Sequence, residues 1–211
     1  IAFINPKQSQ IDIIQAVGRA IRKSNDKTKG TIVIPIYISE EESLNGAILS
    51  SNFKKIWQIV IALKSQDDTL MDCIDTLRIK QGKEGKINLK SNELDKFIFD
   101  VPQKITDNFS QSIQTILVKN CSEDWYERFG ELKNFYEKEG ISSPRILHSS
   151  IGTWVSTQRV LYKHKKLSAK KINLLETINF IWDKNEFDWQ IYFCELKEFY
   201  KGMGWGYPLW G

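Results

Sequence analysis

The feature that most restricts how this 211-residue chain can fold is a tandem repeat in its C-terminal part. Asp124-Trp125, Phe129, Glu131-Leu132-Lys133, Phe135-Tyr136, Gly140 and Pro144 recur as Asp188-Trp189, Phe193, Glu195-Leu196-Lys197, Phe199-Tyr200, Gly204 and Pro208. Every pair is 64 residues apart, with no gap. Coincidence at so many aromatic and glycine positions is improbable, and a fixed period implies one small structural unit used more than once. The first copy spans 122–185, and 186–211 reads as a truncated second copy. Within the first copy the apolar spacing predicts three helices. Trp125, Phe129, Leu132, Phe135 and Tyr136 mark the first, closed by Gly140 and Pro144. Ile151, Trp154, Val155, Gln158 and Tyr162 mark the second, capped by Ser149 or Ser150. Ile172, Leu175 and Ile178 mark the third, capped by Ser168.

Charge sets this copy apart. Between Ile141 and Asn185 eight cations (Arg145, Arg159, Lys163, Lys165, Lys166, Lys170, Lys171, Lys184) face only Glu176 and Asp183. The excess of six exceeds the net +4 of the whole chain, so the remainder is net acidic. A local basic surface is the footprint of phosphate-backbone binding. Arg145, Arg159, Lys163, Lys165, Lys166, Lys170 and Lys171 are the candidate nucleic-acid contacts, with Thr153, Ser156 and Thr157 near the exposed side of the second helix. The competing reading of Lys163 to Lys171 is a solvated loop. No residue here specifies a base sequence.

A second informative stretch lies near the N-terminus, in Gln15-Ala-Val-Gly-Arg-Ala-Ile-Arg22. On a helix Gln15, Arg19 and Arg22 fall at i, i+4 and i+7, one stripe carrying an amide and two guanidinium groups. Guanidinium forks match phosphate oxygens bidentately and never lose their charge. Gly18 sits mid-helix, where it costs about 1 kcal/mol relative to Ala, and so marks a close approach to the backbone. Ile1 to Pro6 reads as a short strand. Ser9 and Asp12 form a helix start, and Thr31 to Ile38 reads as a buried strand weakened by Pro35. Strand, helix and strand together form the end of an α/β nucleotide-binding domain.

Gln15-x-x-Gly18-Arg19-x-x-Arg22 resembles motif VI of superfamily 2 helicases. Asn5-Pro6-Lys7-Gln8-Ser9-Gln10-Ile11-Asp12 resembles the lead into it in bacterial DEAD/DEAH-type members. That resemblance covers about the first 40 residues. It implies the second RecA-like domain, with Arg22 as arginine finger, Arg19 on the phosphates and Gln15 sensing the γ-phosphate; Gln15, Gly18, Arg19 and Arg22 would line bound ATP. A preplaced arginine of this kind is typically worth ~10³–10⁵ in rate. ATP and Mg²⁺ would be held mainly by RecA-like domain 1 of the same chain, which these residues do not include. From 124 onward the chain resembles the helicase-associated domain. The matching residues are Trp125, Leu132, Phe135, Gly140, Pro144, Leu147, Ile151-Gly-Thr-Trp-Val155, Gln158-Arg159, Leu167, Leu175, Ile178 and Phe180-Ile-Trp-Asp183. That family is thought to bind nucleic acid, so the implied partner is nucleic acid, DNA in the first instance. The second class of function takes the repeats as protein-interaction modules.

No G-x-x-x-x-G-K-[ST] phosphate loop occurs, and no Asp-Glu pair ends an apolar strand. Gly82-Lys-Glu-Gly-Lys86 lacks the required spacing and the following Ser/Thr, and reads as a turn. The chain is therefore expected to be a fragment that does not hydrolyse ATP alone. Cys73, Cys121 and Cys194 are scattered and odd in number, as in a reducing, cytoplasmic compartment. Two histidines argue against a zinc site. No apolar stretch approaches the ~20 residues of a membrane span.

Residues 46–121 read as a helical connecting region. Phe53, Ile56, Trp57, Val60 and Leu63 recur at helical spacing, followed by Leu70, Cys73, Ile74 and Leu77, and then by Phe109, Ile113, Ile116 and Leu117. A polar stretch from Lys80 to Asn92 and a short strand at Ile98 to Val101 are expected between them. The fold class is mostly α: a RecA-like α/β remnant over 1–45, the connecting helices, then three-helix repeats.

Overall fold

Residues 12, 14–16, 18, 32–34, 51–85, 107–144 and 150–202 are described by the structure, a computed structural model. Among the described residues run the helices α1 (Ser51–Lys64), α2 (Asp68–Glu84), α3 (Asp107–Cys121), α4 (Asp124–Glu139), α5 (Ser150–Lys163), α6 (Ala169–Glu176) and α7 (Lys184–Gly202). The chain is mostly helical, and it divides into two compact units, Ile1–Gly130 and Glu131–Gly211.

In the first unit, apolar residues three and four apart give α1, α2 and α3 one oily face each, and these faces share a core. Ile56, Trp57 and Val60 of α1 meet Leu70, Ile74 and Leu77 of α2 and Ile113, Leu117, Val118 and Cys121 of α3, with Leu63, Cys73 and Ile116 at its edge. All of these except Val118 and Cys121 are positions that the helical spacing picks out. The turn Ser65–Asp67 joins α1 to α2, and Asp67 caps α2: its Oδ1 accepts from the backbone N–H of Thr69 and Leu70, both at 3.0 Å. Such a cap contributes about 1 kcal/mol. Asp75, buried beside this core, accepts from Lys64 Nζ at 2.7 Å and Ser122 Oγ at 2.9 Å. Lys64 also donates to the Cys121 carbonyl at 2.9 Å. A cation there favours the negative end of α3.

The N-terminal segment docks on α1. Asp12, Ile14 to Ala16 and Gly18 are helical, and Val33 sits in an isolated β-bridge. Ile14, Ala16, Ile32 and Ile34 pack against Ile59 and Ala62. The expected strands at 1–6 and 98–101 lie outside the described residues.

The structure corrects the expected turn at Gly82. Helix α2 continues through Gly82 to Glu84, and only Gly85, at φ 70, stops it, its N–H donating to the Gln81 carbonyl. The glycine serves packing rather than turning. A Cβ on Gly82 would fall 1.9 Å from the carbonyl oxygen of Glu127, and one on Gly130 would fall 2.0 Å from that of Ile79. Two glycines thus let α2 and α4 cross with backbones nearly touching. Arg78, fully buried on α2, clamps the crossing: Nη2 lies 2.6 Å from both Asp124 and Glu127, and Nη1 donates to Gln81 Oε1 at 3.1 Å. Both acids stand in the first turn of α4, where they also favour its dipole.

In the second unit Gly140, at φ 72, ends α4. Helix α5 buries Ile151, Gly152, Val155 and Gln158. Ser168 caps α6 as expected, its Oγ accepting from the Lys171 N–H. Leu175, Ile178 and Phe180 are buried, whereas none of the residues of α7 is. Asp183 caps α7 by accepting from the Glu186 N–H at 3.0 Å.

Candidate nucleic-acid interface

Lys163, Lys165 and Lys166 are exposed together at the C-terminal end of α5. The turn that holds them is a Schellman motif: the Lys166 N–H donates to the Leu161 carbonyl and the Lys165 N–H to that of Tyr162, each at 2.9 Å. Its left-handed residue is Lys165, at φ 56, a position usually taken by glycine. Lys170 and Lys171 are half-buried in the first turn of α6. Thr153 and Thr157 are exposed on α5, with the Thr157 hydroxyl bonded back to the Thr153 carbonyl. Arg145 lies outside the described residues.

Arg159 faces inward. Its Nε donates to the Ile181 carbonyl at 2.7 Å and Nη2 to Ser143 Oγ at 3.0 Å, while the guanidinium sits 5.7 Å from the centre of the Phe180 ring. Burial lowers its pKa, and the nearby Asp188 and Asp183 oppose that shift. Arg159 therefore binds the α5 surface to the loops that precede α5 and follow α6. Sequence reasoning passed over Ser142, which does related work. Buried, it donates to the Asn179 carbonyl at 2.9 Å and accepts from the Ile181 N–H at 3.1 Å. Asn179 takes the left-handed conformation at φ 49, tolerable for Asn, and its amide donates to the Tyr136 hydroxyl. A serine between Gly140 and Pro144 carries no sequence signal of such a role.

Beside the lysines lies a ladder of rings. Tyr162 stacks on Trp182 with centroids 4.0 Å apart, and Trp182 leans on Phe180 at 4.5 Å. The indole N–H of Trp182 donates to Glu176 Oε1 at 2.7 Å. Phe180 is buried, Trp182 half-buried and Tyr162 exposed, so the ladder runs from core to solvent.

Of the N-terminal candidates, Gln15 and Gly18 are helical and exposed, and Arg19 and Arg22 lie outside the described residues. Among the described residues nothing stands within 4 Å of a Cβ placed on Gly18. Among the described residues no group of three or more His, Cys, Asp or Glu is placed to hold a metal ion. No described helix is long and apolar enough to cross a membrane.

The segment that follows α4 is thus both basic and aromatic. Residues 122–183 match the helicase-associated domain, which makes the C-terminal region helicase-related. No curated protein and no solved structure matches the chain.

Proposed function

We propose that the chain is part of an ATP-dependent superfamily 2 helicase or translocase whose helicase-associated repeat grips the nucleic-acid backbone. The observation that carries this reading is the exposed cluster Lys163, Lys165 and Lys166 at a capped helix end, inside the segment matching the helicase-associated domain. Three ammonium groups on one turn displace condensed counterions from a phosphate backbone, which makes binding salt-dependent. Arg159 orders the surface from beneath, and Lys170 and Lys171 extend the positive field.

The N-terminal segment contributes one wall of a nucleotide site. Gln15 and Gly18, three residues apart on a helix, are both exposed. Arg19 and Arg22, at i+4 and i+7 from Gln15 in the sequence, would complete it. ATP with Mg²⁺ supplies the energy-releasing phosphoryl transfer, and RecA-like domain 1 provides the other wall. Arg22 stabilises the charge that develops on the transferred group.

Titration of the chain with fluorescently labelled DNA at low and moderate salt tests the repeat. Affinity is expected to fall steeply as salt rises, and no binding at low salt overturns the reading. For the motor, Arg22→Ala in the protein that carries the phosphate loop is expected to abolish ATP hydrolysis with an unchanged circular-dichroism spectrum. Retained turnover rules out the finger assignment.

A further inference from the structure

Resting on the nucleic-acid reading above, we infer that the Tyr162 edge of this interface takes a single strand, with an unpaired base stacked on Tyr162 and the adjoining phosphates on Lys163, Lys165 and Lys166.

The ring is backed but not covered. Tyr162 lies against Trp182 at 4.0 Å and still exposes 42% of its surface. The backing is rigid. Trp182 is fixed by its bond to Glu176 and by Phe180, and Phe180 lies under the Arg159 guanidinium, itself tied to Ile181 and Ser143. A tyrosine so supported loses little rotamer freedom when a base lands on it, and that loss is what usually weakens stacking on a surface ring.

The cations lie at the same place. Lys163 follows Tyr162 directly, and the Lys165 N–H is bonded to the Tyr162 carbonyl, so three exposed lysines leave the backbone within one turn of the ring-bearing residue. Aromatic platforms beside a basic track are how single strands are held without base readout, since every base has a π-face. A paired base in a duplex already has neighbours on both faces and must be unstacked to use the ring, so it gains from the lysines alone.

The test uses the whole chain and four labelled probes of equal length: oligo(dT), oligo(rU), an abasic phosphodeoxyribose strand, and a blunt duplex. Oligo(dT) and oligo(rU) are expected to bind roughly ten-fold or more tighter than the abasic strand, which has the same phosphates but no ring to stack. A preference between dT and rU that persists when oligo(dU) replaces oligo(dT), which removes the thymine methyl, identifies the sugar of the natural strand. Tyr162→Leu should reduce oligo(dT) to the abasic level, and Tyr162→Phe should keep the wild-type difference. Equal, salt-sensitive binding of dT, abasic strand and duplex by the wild-type chain overturns the stacking site and leaves backbone binding standing. Failure of all four probes at low salt overturns the nucleic-acid reading itself. Should Tyr162→Leu not fold, photocrosslinking of a bromodeoxyuridine strand to the folded wild-type chain is expected to mark Tyr162, and crosslinks confined to the exposed rings of α7, such as Trp189 and Tyr192, overturn the site.

Discussion

Lys165 holds a left-handed backbone at φ 56 with a side chain that gains nothing from that conformation. For an L-residue the conformation costs roughly 1–2 kcal/mol, part of which glycine would give back in unfolded-state entropy. Lys165→Gly is expected to raise stability by about 0.5–1 kcal/mol in urea denaturation. It should also weaken oligonucleotide binding and lower the salt slope by about 0.7 for a single strand. A purely structural lysine would show only the first effect. Cys121 offers a second contrast. Burial pushes its thiol pKa up to about 12 against the opposing pull of Lys64, while Cys194 is exposed. Iodoacetamide should label Cys194 in the native protein and Cys121 only after unfolding, as mass spectrometry of peptides would show. The pH sign follows from linkage. Above about pH 9 the unfolded thiol ionises. The folded one keeps its proton until about 12, so the unfolded state binds fewer protons. Stability should therefore fall as pH rises through that window, by up to about 1.4 kcal/mol per unit. In Cys121→Ala this slope should be absent.

At the scale of elements, the crossing of α2 and α4 reverses an ordinary expectation. Alanine is a better helix former than glycine by about 1 kcal/mol. At Gly82 and Gly130, however, a Cβ would meet backbone oxygen at 1.9 and 2.0 Å, and backbone cannot rotate away as a side chain can. Gly82→Ala and Gly130→Ala are each expected to destabilise the chain by about 2 kcal/mol or more, since overpacking outweighs propensity. Gly18→Ala, whose Cβ meets none of the described residues within 4 Å, should be neutral or stabilising. Thermal denaturation followed by circular dichroism separates the three. The helices themselves were legible beforehand. Ile56, Trp57, Val60, Leu70, Ile74 and Leu77 show helical spacing and form the core, and Ser168 caps the helix it precedes. Along the sequence, Gly82, a glycine needed for close packing, looks like one needed for a turn.

Across the whole molecule the two repeat copies present unlike surfaces. Phe129 and Leu132 of α4 are buried, while their counterparts Phe193 and Leu196 on α7 expose 36% and 51%. The glycine that admits α2 at 130 is matched by Cys194, and Glu127, which pairs with Arg78, is matched by Ile191. The clamp against α2 thus belongs to the first copy alone. Arg78→Ala should lower stability by about 2–3 kcal/mol, less than for a fully buried pair because Asp124 remains 87% exposed to water. Arg78→Met, which refills the space, should recover part of that loss in the same urea titration.

The apolar faces of the helices, the 64-residue period, the basic bias of 141–185 and the motif around Gln15 were determined by the sequence itself. Periodicity, capping and net charge are properties of residues close together along the chain. Which polar groups face inward was decided by tertiary structure. Arg159 turns from the surface to Ile181 and Ser143, 22 and 16 residues away, and Tyr162 stays outside on a ring 20 positions further on. Those partners meet only when α5 and the segment after α6 pack together. Local pattern could therefore nominate cations for an interface, and only packing could sort the arginine that builds it from the lysines left facing solvent.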